Sequence, residues 1–233
     1  MRLFVTGASG GLGSVLSSLA LERGHEVYAS ARSMERLRVC LAEEKLRYGE
    51  KFTLCPLDVT SPEQTAAAAR LIEKNGAFLD GLVNCAAIMI EREKTIDTLD
   101  LEKVEESFRV NTIGPMRTVQ QFLPFLRRGT RPVIVNVSSE AGTIINAFPT
   151  NYAYSISKTA LNMFSERLRE SERKNGILVY AVHPGWMRTN MGGCDAPADP
   201  RDIAGGILDI LERKKEIYSK ISFIDATGRP MPL

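Results

Sequence analysis

A chain of 233 residues, 44% hydrophobic and 25% charged, has ordinary globular composition and enough apolar material for one sizeable α/β core. Its formal net charge of +2 makes no broad basic field, which argues against nucleic acid as a partner. Four cysteines (Cys40, Cys55, Cys85, Cys194) with no C-x-x-C pair, and only His25 and His183, argue against a metal site and fit reduced thiols.

The first predicted strand, 3–6, runs into Thr6-Gly7-Ala8-Ser9-Gly10-Gly11-Leu12-Gly13. This turn opens a helix with Leu12, Val15, Leu16 and Leu19 on one face and a stop at Gly24. Glycine permits a tight turn and a close approach of backbone to a pyrophosphate. The helix N-terminus adds free N–H groups and a positive dipole end. Gly7, Ser9, Gly11, Leu12 and Gly13 are therefore candidate cofactor contacts; the alternative is a flexible turn. The second strand, 26–31, is followed by Arg32-Ser33. A site that prefers NAD carries Asp or Glu about here. Arg32 offers instead a guanidinium suited to a 2′-phosphate, which favours NADP(H) and leaves NAD(H) possible. Arg32 can equally be a surface residue at a helix start. The third strand, 51–57, leads to Asp58, a candidate acceptor for the adenine amino group or a helix-start residue near the Ser61 cap. Ser61-Pro62-Glu63-Gln64 is a helix start, with a serine cap, proline in the first turn and a glutamine placed for a capping box.

The fourth strand, 81–84, leaves through Asn84-Cys85-Ala86-Ala87, whose small side chains let a cofactor lie against the backbone; Asn84 and Ala86 are candidate contacts. The segment 108–115 looks helical but contains Pro115, which has no N–H for the Asn111 carbonyl four positions earlier. That carbonyl can hold a water linking Lys158 to solvent, or the segment is a plain proline kink. The fifth strand, 133–137, ends at Ser138-Ser139. Open α/β sheets bind ligands at such carboxyl ends, so Ser139 can hydrogen-bond a substrate oxygen, or else satisfy the turn before Gly142. Tyr154 and Lys158, four apart, lie on one helical face. A nearby ammonium stabilises a phenolate, so Tyr154 can exchange a proton with a carbonyl or an alcohol. The sixth strand, 178–183, runs into His183-Pro184-Gly185-Trp186-Met187-Arg188-Thr189. Pro184-Gly185 forces a turn near the nicotinamide end, and Thr189 can bond the carboxamide. His183 reads as a strand-end structural residue; Trp186 and Met187 line the substrate pocket or cover the core. The Gly- and Pro-rich stretch 192–200 is expected to be a mobile surface loop, part of a substrate loop around 186–200. The last strand is 222–225.

Repeated strand–helix–strand order predicts an α/β fold: a single Rossmann-type doubly wound domain over 1–233, with about seven parallel strands and helices on both faces. No signal sequence or membrane-length apolar run is read from the chain, so a cytoplasmic protein without a membrane partner is expected. Thr6-Gly7-x-x-x-Gly11-x-Gly13, Asp58, Asn84-Cys85-Ala86-Ala87, Asn111, Ser139, Tyr154-x-x-x-Lys158 and Pro184-Gly185 with Thr189, in this order, resemble the short-chain dehydrogenase/reductase family. Tyr152-Ala153-Tyr154-x-x-Ser157-Lys158 with His183-Pro184-Gly185-Trp186 resembles its C-factor and sniffer-like carbonyl reductases. The resemblance implies Ser139, Tyr154 and Lys158 as the reacting set and Asn111 as its fourth member, with Lys158 also on the nicotinamide ribose. It implies NADP(H)-dependent hydride transfer to or from a small carbonyl or alcohol without a metal, and a homodimer or homotetramer built through the helices holding Asn111 and Tyr154. A nucleotide-sensing or signalling protein with the same fold and little turnover is the rival. Two departures stand out: the family's Asn-Asn-Ala-Gly is Asn84-Cys85-Ala86-Ala87 here, and the gap from Ser139 to Tyr154 is longer than is common.

Overall fold

The computed structural model describes residues 1–145 and 147–233. The chain forms β1 (Arg2–Thr6), α1 (Gly11–Glu22), β2 (Glu26–Ala31), α2 (Met34–Cys40), α3 (Ala42–Tyr48), β3 (Phe52–Pro56), α4 (Pro62–Lys74) and β4 (Gly81–Asn84). It continues with α5 (Leu101–Phe108), a π-turn (Arg109–Ile113), α6 (Gly114–Leu126), β5 (Val133–Val137), α7 (Tyr152–Glu172), β6 (Leu178–His183), α8 (Pro200–Leu211) and β7 (Phe223–Asp225). The seven strands make one parallel sheet in the order β3-β2-β1-β4-β5-β6-β7.

Side chains alternate across a strand, so successive residues feed opposite faces of the sheet. Leu3 and Val5 of β1 pack with Leu12 and Leu16 of α1 and Ile207 and Leu211 of α8. Phe4, between them, packs on the other face with Ile72 of α4 and Phe122 and Leu126 of α6. Helices on both faces explain why the strands read as unbroken apolar runs. No described helix is long and apolar enough to cross a membrane.

Local chemistry moved some boundaries. β3 begins at Phe52, not Lys51, because Lys51 closes a 3₁₀ turn over Gly49–Lys51. β3 ends at Pro56, although Leu57 still donates to Ala31 O at 3.0 Å. β7 starts at Phe223; Ser222 contributes its carbonyl to Ala181 N–H. At the start of α4 the Ser61 hydroxyl accepts from Gln64 N–H at 3.2 Å, as expected. The return half of the capping box is absent: Gln64 Oε1 accepts from Asp58 N–H at 2.7 Å. The stretch 192–200 is held by backbone bonds from Arg188 N–H to Ala198 O and from Ala198 N–H to Trp186 O, and by the Arg188 guanidinium on Pro197 O.

A parallel sheet puts the carboxyl ends of its strands on one edge. The chain winds outward from β1 to β2 and β3, then returns to place β4 on the other side of β1. The crevice of an open α/β sheet lies at this reversal, so Thr6, Ala31, Asn84, Val137 and His183 end beside one cleft.

Candidate active site

A cleft of about 680 Å³ follows that edge. The glycine-rich turn forms its floor. Gly7 (φ 69°) and Gly11 (φ 54°) take the left-handed backbone conformation. A Cβ on Gly7 would meet Ala86 Cα at 2.8 Å, and one on Gly13 would meet Gly7 O at 2.4 Å. The turn is therefore closed to side chains at Gly7 and Gly13, and at Gly7 it presses against the end of β4. The Thr6 hydroxyl accepts from both Cys85 and Ala86 N–H at 3.1 Å, locking these strand ends together. Gly10 caps α1 without a side chain, and Ser9, Gly11, Leu12 and Gly13 line the cleft. The first-turn N–H groups of α1 are thus available to an anion, and the cradle fits a pyrophosphate.

Arg32, Ser33 and Arg36 line the end of the cleft beside β2. Asp58 lines it too, but its Oδ1 is engaged by Thr60, from N–H at 2.8 Å and from Oγ1 at 2.7 Å. The Asn84 side chain is not offered to the cleft, which leaves only its backbone for the expected cofactor contact. That side chain is buried away from the cleft, donating to Asn136 Oδ1 at 2.8 Å and accepting from Thr118 Oγ1 at 2.7 Å. A side chain at the last position of a central strand points into a helix-covered face, where an amide must find partners. Ala86 does line the cleft.

The far end gathers Ser139, Tyr154, Lys158, Pro184, Gly185 and Thr189. Tyr154 is 6% exposed and Lys158 2% exposed, one turn apart on α7. Lys158 Nζ donates to Val137 O at 2.7 Å and lies 5.5 Å from the centre of the Tyr154 ring. Burial pulls the Lys158 ammonium down to about 8. The Tyr154 phenol moves the other way. Burial raises it above the usual tyrosine value, opposed by the Ser139 hydroxyl and the Arg92 charge. Ser139 Oγ also accepts from Ala141 N–H at 3.1 Å, so it serves both the turn and the phenol. Ser138 turns instead to Asn162 Oδ1 at 2.6 Å.

Asn111 sits in the π-turn and does not line the cleft. Its Oδ1 accepts from Ile88 N–H at 2.8 Å, and its Nδ2 donates to Ile88 O at 2.9 Å and Ser157 Oγ at 3.0 Å. The side chain thus clamps the strand-four exit onto α7 next to Lys158. His183 Nδ1 accepts from Glu140 N–H at 3.1 Å, the structural role expected of it, and burial lowers its pKa. Thr189 lies over the glycine turn, where a Cβ on Gly11 would be 3.7 Å from its methyl group. Its hydroxyl accepts from Gly192 N–H at 3.1 Å.

Residues 2–198 match the family described as short chain dehydrogenase. The chain belongs to the short-chain dehydrogenase family. A short-chain dehydrogenase of Penicillium crustosum is 38% identical over 193 residues, which is 80% of this chain and 66% of that relative. C-signal of Myxococcus xanthus is 33% identical over 58% of this chain and 81% of its own length. The crystal structure of NADPH-bound carbonyl reductase from chicken fatty liver is 30% identical, with a TM-score of 0.87 over 100% of this chain and 98% of that one.

Several residues at or beside the cleft escaped the sequence reading. Arg36, in the first turn of α2 (Met34–Cys40), joins Arg32 at the cleft. Gly142 packs on α7, where a Cβ would meet the Lys158 backbone at 2.8 Å. Met89, Arg92 and Met191 line the substrate side and belong to no motif.

Proposed function

We propose that the protein is an NADP(H)-dependent oxidoreductase that reduces a small ketone or aldehyde, or oxidises the corresponding alcohol. The observation that carries this reading is the pairing of a buried phenol and a buried ammonium at one end of a cleft whose other end holds Arg32 and Arg36. Two guanidiniums suit a 2′-phosphate, which supports NADP(H) over NAD(H). The glycine turn holds the pyrophosphate, and Lys158 holds the nicotinamide ribose. When bound, the cofactor supplies or accepts a hydride at the substrate carbon. Ser139 donates to the carbonyl oxygen and positions it. Tyr154, a phenol and therefore protonated at neutral pH, gives its proton to that oxygen as negative charge develops. The ammonium of Lys158 then steadies the phenolate. Asn111 fixes the backbone around Lys158, and the π-turn beside it supports a water path for returning the proton. The segment 186–200 forms the substrate wall and moves to admit substrate. Exposed Ile113 just before α6, Met116 on α6, and Ile156 and Met163 on α7 support a homo-oligomer in which a second copy covers these helices; a monomeric mass in solution would refute it.

The likeness to C-signal favours a second reading, a signalling protein that keeps the cofactor and turns over little. NADPH oxidation followed by absorbance against a panel of aldehydes and ketones separates the two. Turnover on members of the panel is expected. Tight NADPH binding with no turnover on any carbonyl supports signalling.

A further inference from the structure

Beyond the reacting set, one charged side chain reaches the chemical end of the cleft without a carboxylate partner. Arg92, in the segment between β4 and α5, lines the cleft with Met89, Trp186 and Met191. Its carbonyl accepts from Asn151 N–H at 3.0 Å, and Asn151 is the left-handed residue (φ 62°) that starts α7. Its guanidinium donates to Met191 O at 2.7 Å. Arg92 is thus fastened to the helix of Tyr154 by its backbone and to the substrate wall by its side chain. That side-chain bond uses one of five N–H donors. Among the described residues no carboxylate lies within 4.0 Å of it. Two other charged groups, Lys158 and Glu140, also line this end. Lys158 faces Val137 O, and the Glu140 carboxylate is 4.0 Å from His183 Nε2. The Arg92 charge is felt at the Tyr154 phenol, so the guanidinium stands within electrostatic reach of the proton donor.

We propose that Arg92 recognises a carboxylate close to the reacting carbonyl, so that the substrates are oxo acids, or the matching hydroxy acids, with an apolar body. Granted the carbonyl reading above, on which this rests, the body lies on Met89, Trp186 and Met191. The carboxylate takes the free edge of the guanidinium fork, a planar pairing that lysine cannot reproduce. In the reduction, hydride from NADPH forms the new C–H bond, the C=O π pair moves to oxygen, and oxygen takes the Tyr154 proton. The carboxylate is unchanged, and NADP⁺ leaves oxidised by two electrons.

The test is steady-state kinetics of the full chain with NADPH on 2-oxo and 3-oxo acids, each paired with its neutral methyl ester. Wild type is expected to prefer the acid in kcat/KM. Arg92→Gln is expected to lose roughly tenfold to hundredfold on the acids, and far less on the esters, with Arg92→Lys in between. Equal losses on acid and ester mean that Arg92 only tethers the wall, and overturn the proposal. Wild type that reduces the esters as well as the acids overturns it while leaving the carbonyl reading intact. Reduction of no acid, ester or other carbonyl overturns that reading itself.

Discussion

A buried lysine without a carboxylate beside it is held at a cost, and Lys158 is such a residue. Its one hydrogen bond goes to a neutral carbonyl, Val137 O. A fall from 10.5 to about 8 corresponds to on the order of 3 kcal/mol set against the charged form in the fold. The sign follows from proton counting. Between about pH 8 and the ordinary lysine value of 10.5 the unfolded chain binds more protons here than the folded one. Lys158 therefore destabilises the protein fully below pH 8, and the penalty fades as pH rises through that window. Lys158→Met is expected to raise the melting temperature of the cofactor-free protein by several degrees at neutral pH while abolishing turnover. A melting temperature that falls would show that the ammonium is better accommodated than its burial implies. Stability and chemistry are thus opposed at this one position, as is common where a site needs a strained or desolvated group.

At the scale of elements, the clamp made by Asn111 joins three pieces: the exit of β4, the π-turn and α7. Proline 115 was legible as a break in helical hydrogen bonding, and a π-turn lies just ahead of it. The side-chain role was not legible, because Ile88 lies 23 residues away in sequence and is brought near by the crossover between β4 and α5. Asn111→Ala strips partners from both Ile88 backbone groups and from Ser157 Oγ. It is expected to cost about 1–3 kcal/mol of stability, read by urea unfolding, together with a fall in kcat. Unchanged stability would mean that water replaces the amide without loss. Asn84 teaches the same lesson. Its place at a strand end pointed to backbone contact with the cofactor and said nothing of the side chain, which joins a buried network with Asn136 and Thr118.

Over the whole molecule, the strands were legible because apolar runs buried on both faces leave a plain signal, and the glycine turn because its spacing has few other uses. What stayed hidden depends on tertiary approach: Arg36 and Arg92 enter the cleft from segments with no motif. A ligand lying along the entire edge ties both halves of the sheet to α1 and α7, so binding raises global stability by mass action, about 2.7 kcal/mol at a hundredfold excess over Kd. NADPH is expected to shift the melting temperature more than equal NADH, and Arg32→Ala with Arg36→Ala to erase the difference; equal shifts in the wild type would remove the argument for the 2′-phosphate. The most direct measurement is single-turnover NADPH oxidation by Tyr154→Phe, with NADPH affinity measured alongside. The expected result is a loss of about two to four orders of magnitude in rate with affinity retained; a rate near wild type with cofactor still bound would contradict the phenol as proton donor.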